Sequence, residues 1–198
     1  MCFKSNSKSF GKLATLTLFS SGLLSSMTIG GLAADNTPAN KEASSQKWEI
    51  TSKSFQEGQR IPKLYTADGK DISPPLTWSA PPEKTQTLAL ICDDPDAPAG
   101  TWVHWLIYDL PSGQRALAEN VRKEAKLDAG IAQGMNSFNK IGYNGPSPPP
   151  GETHRYFFKL YALDSKLSLG SAVKKDELEA AMKNHVLAET QLMGTYSR

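Results

Sequence analysis

The stretch TLALICDDPDAPAGTWVHWLIYDL, Thr87 to Leu110, is two strands and a rigid corner. Thr87–Cys92 is a short apolar run of the length of a buried strand. Thr101–Leu110 is aromatic and β-branched, and Pro111 stops it. Between them, Asp94-Pro95-Asp96-Ala97-Pro98 is held by two prolines. Each proline pushes the residue before it into extended geometry, and an Asp readily bonds its own backbone, so taken alone this is a plain turn. The same restriction lowers the entropy cost of presenting a carboxylate.

Further strands flank this unit. Trp48–Ser52 alternates weakly, and Ser73–Trp78 is extended by its prolines. His154–Leu163, HRYFFKLYAL, alternates throughout. Gly142–Gly151, GYNGPSPPPG, is a rigid, irregular loop. Helical spacing is confined to the C-terminus. Leu178, Ala181, Met182 and His185 recur every three or four residues, with Asp176, Glu177 and Glu179 in the first turns, where they suit the helix dipole. Asn184 can relax the chain there, and a second short helix is expected from Val186 to Met193, ending at Gly194. Strands first and helices last predict a mainly β (β-rich α+β) domain with helices at one end.

Three segments are expected: an export signal at 1–34, a disordered spacer at 35–47 and a single domain at 48–198. Lys4, Lys8 and Lys12 precede an uncharged run from Leu13 to Ala34 that ends in small residues. This is the pattern of a secretory signal, and it predicts an exported protein, periplasmic or secreted. The competing reading is a retained anchor. Against it, the run is diluted by Ser, Thr and Gly and only reaches spanning length, so no stable membrane anchor is expected once the signal is removed. Residues 35–46 are polar and lack any apolar period.

Without residues 1–34, the 22 basic residues fall to 19 against 20 acidic ones. No basic stripe remains, and nucleic acid is not an expected partner. Cys92 is then the sole cysteine, so an internal disulfide is excluded and an ordinary core must hold the domain. A Cys in an apolar strand is usually an inert small hydrophobe rather than a nucleophile.

Side-chain alternation narrows the chemistry. Leu88, Leu90, Cys92 and Asp94 share a face of their strand. Strict alternation puts His104 with Trp102, Leu106 and Tyr108, and His154 with Tyr156, Phe158 and Leu160. Arg155 has the opposite parity and is expected to brace a loop carboxylate. Each strand is then polar at one end and apolar deeper in, which is the layout of a small-ligand site at a sheet rim. Two histidines, proline-held carboxylates and a tyrosine can grip a phosphate, a carboxylate or a zwitterion. Two arrangements fit the carboxylates. One of them can hydrogen-bond a histidine and raise its pKa, so that an imidazolium faces the anion, or both can meet the ammonium of a zwitterion.

No nucleophile stands out, and neither a cofactor nor a catalytic residue is assigned. The rival reading is a metal-assisted hydrolase using His104, His154, Asp94 and Asp96, although their spacing matches no standard zinc signature. A protease inhibitor acting through a surface loop is a third reading. Each histidine alone is more often a core residue than a ligand-binding one, and His185 is read as structural.

Three motifs, DDPDAPAGTWVHWLIYDLP, GYNGPSPPPGETHRYFFKLYALD and the tail HVLAETQLMGTYSR, stand in this order between Phe55 and Arg198. On these the chain resembles the phosphatidylethanolamine-binding protein (PEBP) family, in its bacterial Raf-kinase-inhibitor-like branch of the YbhB/YbcL type. The resemblance implies an antiparallel β-sandwich core, an anion pocket at its edge and short C-terminal helices nearby. It also implies a small anionic or phosphorylated ligand, a possible protein partner and a role as regulator or inhibitor. The family pocket falls on Asp94, Asp96, Pro98, His104, Gly145, His154 and Tyr156, with Pro146 completing the wall. Three positions depart from the family pattern. Ser147 stands where bacterial relatives often have Cys, which removes thiol chemistry there. Asn139 and Asn184 stand where Gly is usual, and both retain access to positive φ.

Overall fold

The computed structural model describes residues 47–198. The expected export segment, and all but the last residue of the expected spacer, lie outside the described residues. Among these residues eight strands and one α-helix follow in order: β1 Ile50–Thr51, β2 Leu76–Trp78, β3 Thr87–Asp94, β4 Trp102–Pro111, β5 Ala116–Leu117, β6 Ala132–Gln133, β7 Thr153–Leu163, α1 Lys175–Met182 and β8 Val186–Ser197. They form two antiparallel sheets, β1-β2-β5 and β6-β4-β3-β7-β8. The fold is a mainly β sandwich.

The larger sheet is covered on both faces, which is why β3 reads as a continuous apolar run and all eight of its residues are buried. One face carries Leu88, Leu90, Cys92, Phe158 and Leu160, packed with Ile50, Leu76, Trp78 and Leu117 of the smaller sheet. The other carries Ala89, Ile91, Leu106 and Tyr108, covered by Leu178 and Met182 of α1. Asp93, fully buried on this second face, receives the ammonium groups of Lys159 at 3.0 Å and Lys175 at 2.9 Å. It therefore ties α1 to the sheet. At the start of α1, Glu177 accepts the Lys174 N–H at 2.8 Å, and the chain turns at Asn184 with φ of 69°.

Two expectations are corrected. The second C-terminal helix does not form. Val186–Ser197 is strand β8, paired with β7 from Leu163↔Val186 to Thr153↔Ser197. Ala188 and Glu189 are good helix formers, but β7 would otherwise present an unpaired edge over its whole length, and the tertiary ladder overrides local propensity. Gly194 is a packing residue rather than a helix stop: a Cβ there would lie 2.6 Å from Ile61 and 2.8 Å from Phe55 side-chain atoms.

The alternation expected along β4 also fails. Cys92 pairs with Trp105, but Asp93 pairs with Val103, which leaves His104 as an extra residue in β4. This is a β-bulge. Trp105 and Ile107 belong to the inter-sheet core while Leu106 and Tyr108 face α1. His104 is therefore not on the face of Leu106 and Tyr108. A second register shift lies opposite Leu88–Leu90, where Asp109 has φ of 56°.

If α1 seals the outer face of the large sheet, truncating its fully buried anchor should be costly. Leu178→Ala is expected to lower unfolding free energy by about 2–5 kcal/mol in urea denaturation, the range for a buried Leu. A loss under about 1 kcal/mol would mean that the helix is not packed as described.

Candidate functional site

The C-terminal end of β3 lies beside the N-terminal ends of β4 and β7, because β3 runs antiparallel to both. Asp94, His104 and His154 thus meet at one rim of the sandwich. They line a cavity of about 270 Å³ with Ala97, Pro98, Trp102, Phe138, Ser147 and Pro149. Asp94, the two histidines and Ser147 are the polar groups of a lining that is otherwise apolar or aromatic. A larger hollow of about 440 Å³ lies on the α1 side, around Ser137, Lys174 and Glu179, and holds none of the histidines.

His154 is buried between two carboxylates. Its Nδ1 is 2.8 Å from Asp94 Oδ2 and its Nε2 is 3.0 Å from Glu152 Oε2. Burial works against its charge, but the hydrogen bonds to Glu152 and Asp94 outweigh it, and the pKa is raised. With an acceptor on each nitrogen, the doubly protonated imidazolium is the species that satisfies both bonds.

His104 behaves in the opposite way. Its ring is buried and packs edge-on to Tyr156 and Phe138. Nδ1 lies 2.6 Å from the Asn144 carbonyl oxygen. A carbonyl only accepts, so Nδ1 carries the proton and donates it. Nε2 has no hydrogen bond among the described residues. Burial lowers the pKa of this ring, overcoming the opposing pull of Asn144 and Asp94. The site therefore pairs one imidazolium with one neutral imidazole whose Nε2 is an acceptor.

Tyr156 lies behind His104. Burial and the neighbouring Asp94 carboxylate push its phenol far above the ordinary value, so it stays protonated. Its hydroxyl is buried with no hydrogen-bond partner among the described residues.

The other sequence-derived candidates take different places. Asp94 Oδ1 accepts the Asp96 N–H at 2.9 Å, the local turn bond expected of an Asp in this setting. The Asp96 side chain points to Arg155, accepting its backbone N–H at 2.9 Å, its Nε–H at 2.9 Å and its Nη2–H at 2.6 Å. Arg155 thus braces a loop carboxylate, as its parity predicts. Pro98 is an exposed part of the cavity wall. Pro146 is buried beside the cavity, its carbonyl accepting the Ala67 N–H at 3.0 Å. Gly145 makes a close backbone approach to Tyr65–Thr66, where an added Cβ would lie 2.2 Å from a carbonyl oxygen. Its N–H donates to Asp71 Oδ1 at 2.6 Å.

Several contributors were not read from the sequence. Asp71 also accepts Asn144 Nδ2 at 2.9 Å and pairs with Lys123 at 2.8 Å. Asn136 Nδ2 donates to Asn144 Oδ1 at 2.9 Å and to the Gly142 carbonyl at 2.9 Å. This network holds the Asn144 carbonyl against His104. Nothing local in the sequence joins Asp71 to Asn144, 73 residues away. Glu152 could have been found, since it shares strand parity with His154 and Tyr156.

A β-sandwich with a histidine- and carboxylate-lined rim pocket is the class of protein defined so far. The family model for phosphatidylethanolamine-binding protein matches residues 51–197, and the chain belongs to that family. It is 47% identical over 149 residues to a UPF0098 protein of Methanothermobacter thermautotrophicus, covering 75% of this chain and 98% of that one. A UPF0098 protein of Aquifex aeolicus is also 47% identical, over 152 residues, covering 76% of this chain and 88% of that one. Among solved structures, the Chlamydia trachomatis protein CT736, described as a putative PEBP homolog, aligns with a TM-score of 0.70 at 40% identity. That match covers 76% of this chain and 97% of the other. Escherichia coli YbcL, described as a new member of the mammalian PEBP family, aligns with a TM-score of 0.72 at 29% identity, covering 76% and 98%.

The Asp96–Arg155 clamp makes a pH-dependent prediction. Hydrogen bonds from Arg155 hold the Asp96 carboxyl down at about 2, with burial acting the other way. A depressed carboxyl contributes stability that is complete above its unfolded value near ~3.9 and is lost as pH falls from there toward the folded value. Carboxyl NMR titration should find Asp96 near this low value, and Arg155→Ala should return it toward the ordinary range. An Asp96 that titrates identically in both proteins would exclude the clamp.

Proposed function

We propose that this chain is an exported binding protein that holds a phosphorylated or other anionic small ligand, or a head group presented by a partner, in the rim pocket. The observation carrying this reading is the pair of histidines that line the pocket, the His154 imidazolium and the neutral His104 ring with Nε2 unbonded, with the buried Tyr156 hydroxyl behind them. Both rings can bond the oxygens of one anion, His154 through the Nε2 that now faces Glu152 and His104 through Nε2 once it takes up a proton. The two carboxylates at His154 fit the first of the two arrangements expected from the sequence, in which an acid holds a histidine in its charged form.

Magnitudes support a modest binder. One charge-assisted hydrogen bond contributes about 1.5–3 kcal/mol net. Two or three of them total about 3–9 kcal/mol, which spans millimolar to micromolar affinity before the cost of association, and that cost moves the site toward the millimolar end. Such a site suits a reader of head groups or of modified partner proteins, and a regulator or inhibitor role is part of the proposal. Assignment to the YbhB/YbcL branch belongs here too, supported by the likeness to Escherichia coli YbcL. Export is supported by the basic, uncharged and small-residue segments of residues 1–34. Among the described residues, no helix is long and apolar enough to cross a membrane.

The non-enzymatic reading is favoured over a metal-assisted hydrolase by how the candidate ligands are already used. Asp94 is held by His154 Nδ1 and by the Asp96 N–H, and Asp96 is committed to Arg155.

Calorimetric titration of the full-length protein with inorganic phosphate, alongside His154→Ala, tests the proposal. The variant removes a cation and leaves Asp94 and Glu152 uncompensated, so affinity should fall by tenfold or more, or about 1.4 kcal/mol. Equal affinity would refute the role given to His154. A second expectation concerns protons. Burial keeps His104 neutral, so at pH 8 a phosphate dianion gains a donor at Nε2 only if a proton is taken up. Binding heats should therefore depend on the ionisation enthalpy of the buffer, in the sense of uptake, and His104→Ala should remove the dependence.

A further inference from the structure

The position best suited to an incoming anion already holds one. His154 Nε2 faces the side chain of Glu152 at 3.0 Å, while Asp94 takes Nδ1 from the other side. We propose that Glu152 is a built-in competitor for the pocket: its carboxylate occupies the Nε2 position of His154, and an external anion bonds there only when the Glu152 side chain swings out. This inference rests on the anion-binding reading and adds a determinant of which ligands the site accepts.

The backbone carrying Glu152 is fixed, so the motion is confined to its side chain. Pro149–Glu152 is a turn closed by the Glu152 N–H to the Pro149 carbonyl at 3.2 Å. Gly151 has φ of 84° and donates its N–H to the Arg198 carbonyl at 3.1 Å. Pro149 is itself a wall of the cavity, which places the turn at the pocket mouth. From Thr153 onward the chain is locked into β7, with His154 paired to Tyr196.

The burial of the two carboxylates differs in a way that separates their roles. The Asp94 side chain is 4% exposed and cannot leave without opening the rim. The Glu152 side chain is 54% exposed and can rotate into water. A half-exposed ion pair is weak enough to exchange with a ligand. It also opposes binding by charge, because two carboxylates around one imidazolium leave the neighbourhood negative. An anion entering without displacing Glu152 would meet like charge at short range.

The consequence is a population penalty. If the outward Glu152 rotamer is about a tenth of the population, the apparent affinity for a bare anion is about tenfold weaker than the intrinsic one. Removing the carboxylate removes the penalty.

The experiment is calorimetric titration of the full-length protein, Glu152→Ala and Glu152→Gln with inorganic phosphate. The alanine variant should bind about tenfold more tightly than the unaltered protein, a gain of about 1.4 kcal/mol. The glutamine variant, which keeps an acceptor but loses the charge, should fall between them. Nitrogen-15 NMR of the imidazoles supplies a readout free of ligand. The His154 resonances should move and its pKa should drop in Glu152→Ala, while those of His104 stay in place. Phosphate binding that is measurable in the unaltered protein and no tighter in Glu152→Ala would overturn the competitor role and leave the anion-binding reading standing. Absence of binding in all three proteins at millimolar phosphate would overturn both. Unmoved His154 resonances would overturn the contact itself.

Discussion

The extra residue that β4 places at His104 is the constraint on which the site depends. Asp94↔Trp102 and Cys92↔Trp105 lie on the same face of the large sheet, yet Trp102 and Trp105 are three residues apart. Regular alternation cannot put both on one side. The bulge absorbs the mismatch, and His104 comes with it. Without that residue, either Trp105 and Ile107 would leave the inter-sheet core or the β4 rim would turn toward α1. Core packing and pocket geometry are therefore set by the same local irregularity.

The two adjacent acids of β3 show how one strand serves two purposes. Asp93 faces α1 and takes two lysine ammonium groups, a buried arrangement that joins helix and sheet. Asp94 faces the rim and takes His154. A buried carboxylate is costly unless paired, so each needs its own cation, and alternation sends them to opposite faces to find one. The pocket is balanced group by group: Asp94 against His154, Asp96 against Arg155, Asp71 against Lys123. Glu152 stands outside this balance, because its side chain's only partner among the described residues is an imidazolium that Asp94 already shares.

Much of this was legible from local pattern. Alternation along β7 placed His154, Tyr156, Phe158 and Leu160 together and Arg155 opposite them, because β7 has no irregularity over that stretch. Asn139 and Asn184 take φ of 56° and 69°, the left-handed conformations that Asn reaches in place of Gly. The same pattern failed where a neighbour overruled it. β4 could not be phased because one inserted residue reverses every side chain beyond it. β8 could not be recognised because its open partner edge, supplied by a distant part of the chain, decided its conformation.

From its residues alone, the chain established strands β1 to β4 and β7, the proline-held corner, the candidate histidines and acids, and the family to which its motifs point. These are properties of short windows, fixed by alternation, branching and proline geometry. Tertiary structure decided which protonation state each of the two pocket histidines takes. His154 is made cationic by carboxylates from two other positions, and His104 is held neutral by burial and by a carbonyl that Asp71 and Asn136 help to position. The charge of an imidazole depends on what surrounds it in three dimensions, and residues up to 73 positions apart in the network around His104 meet only in the folded chain.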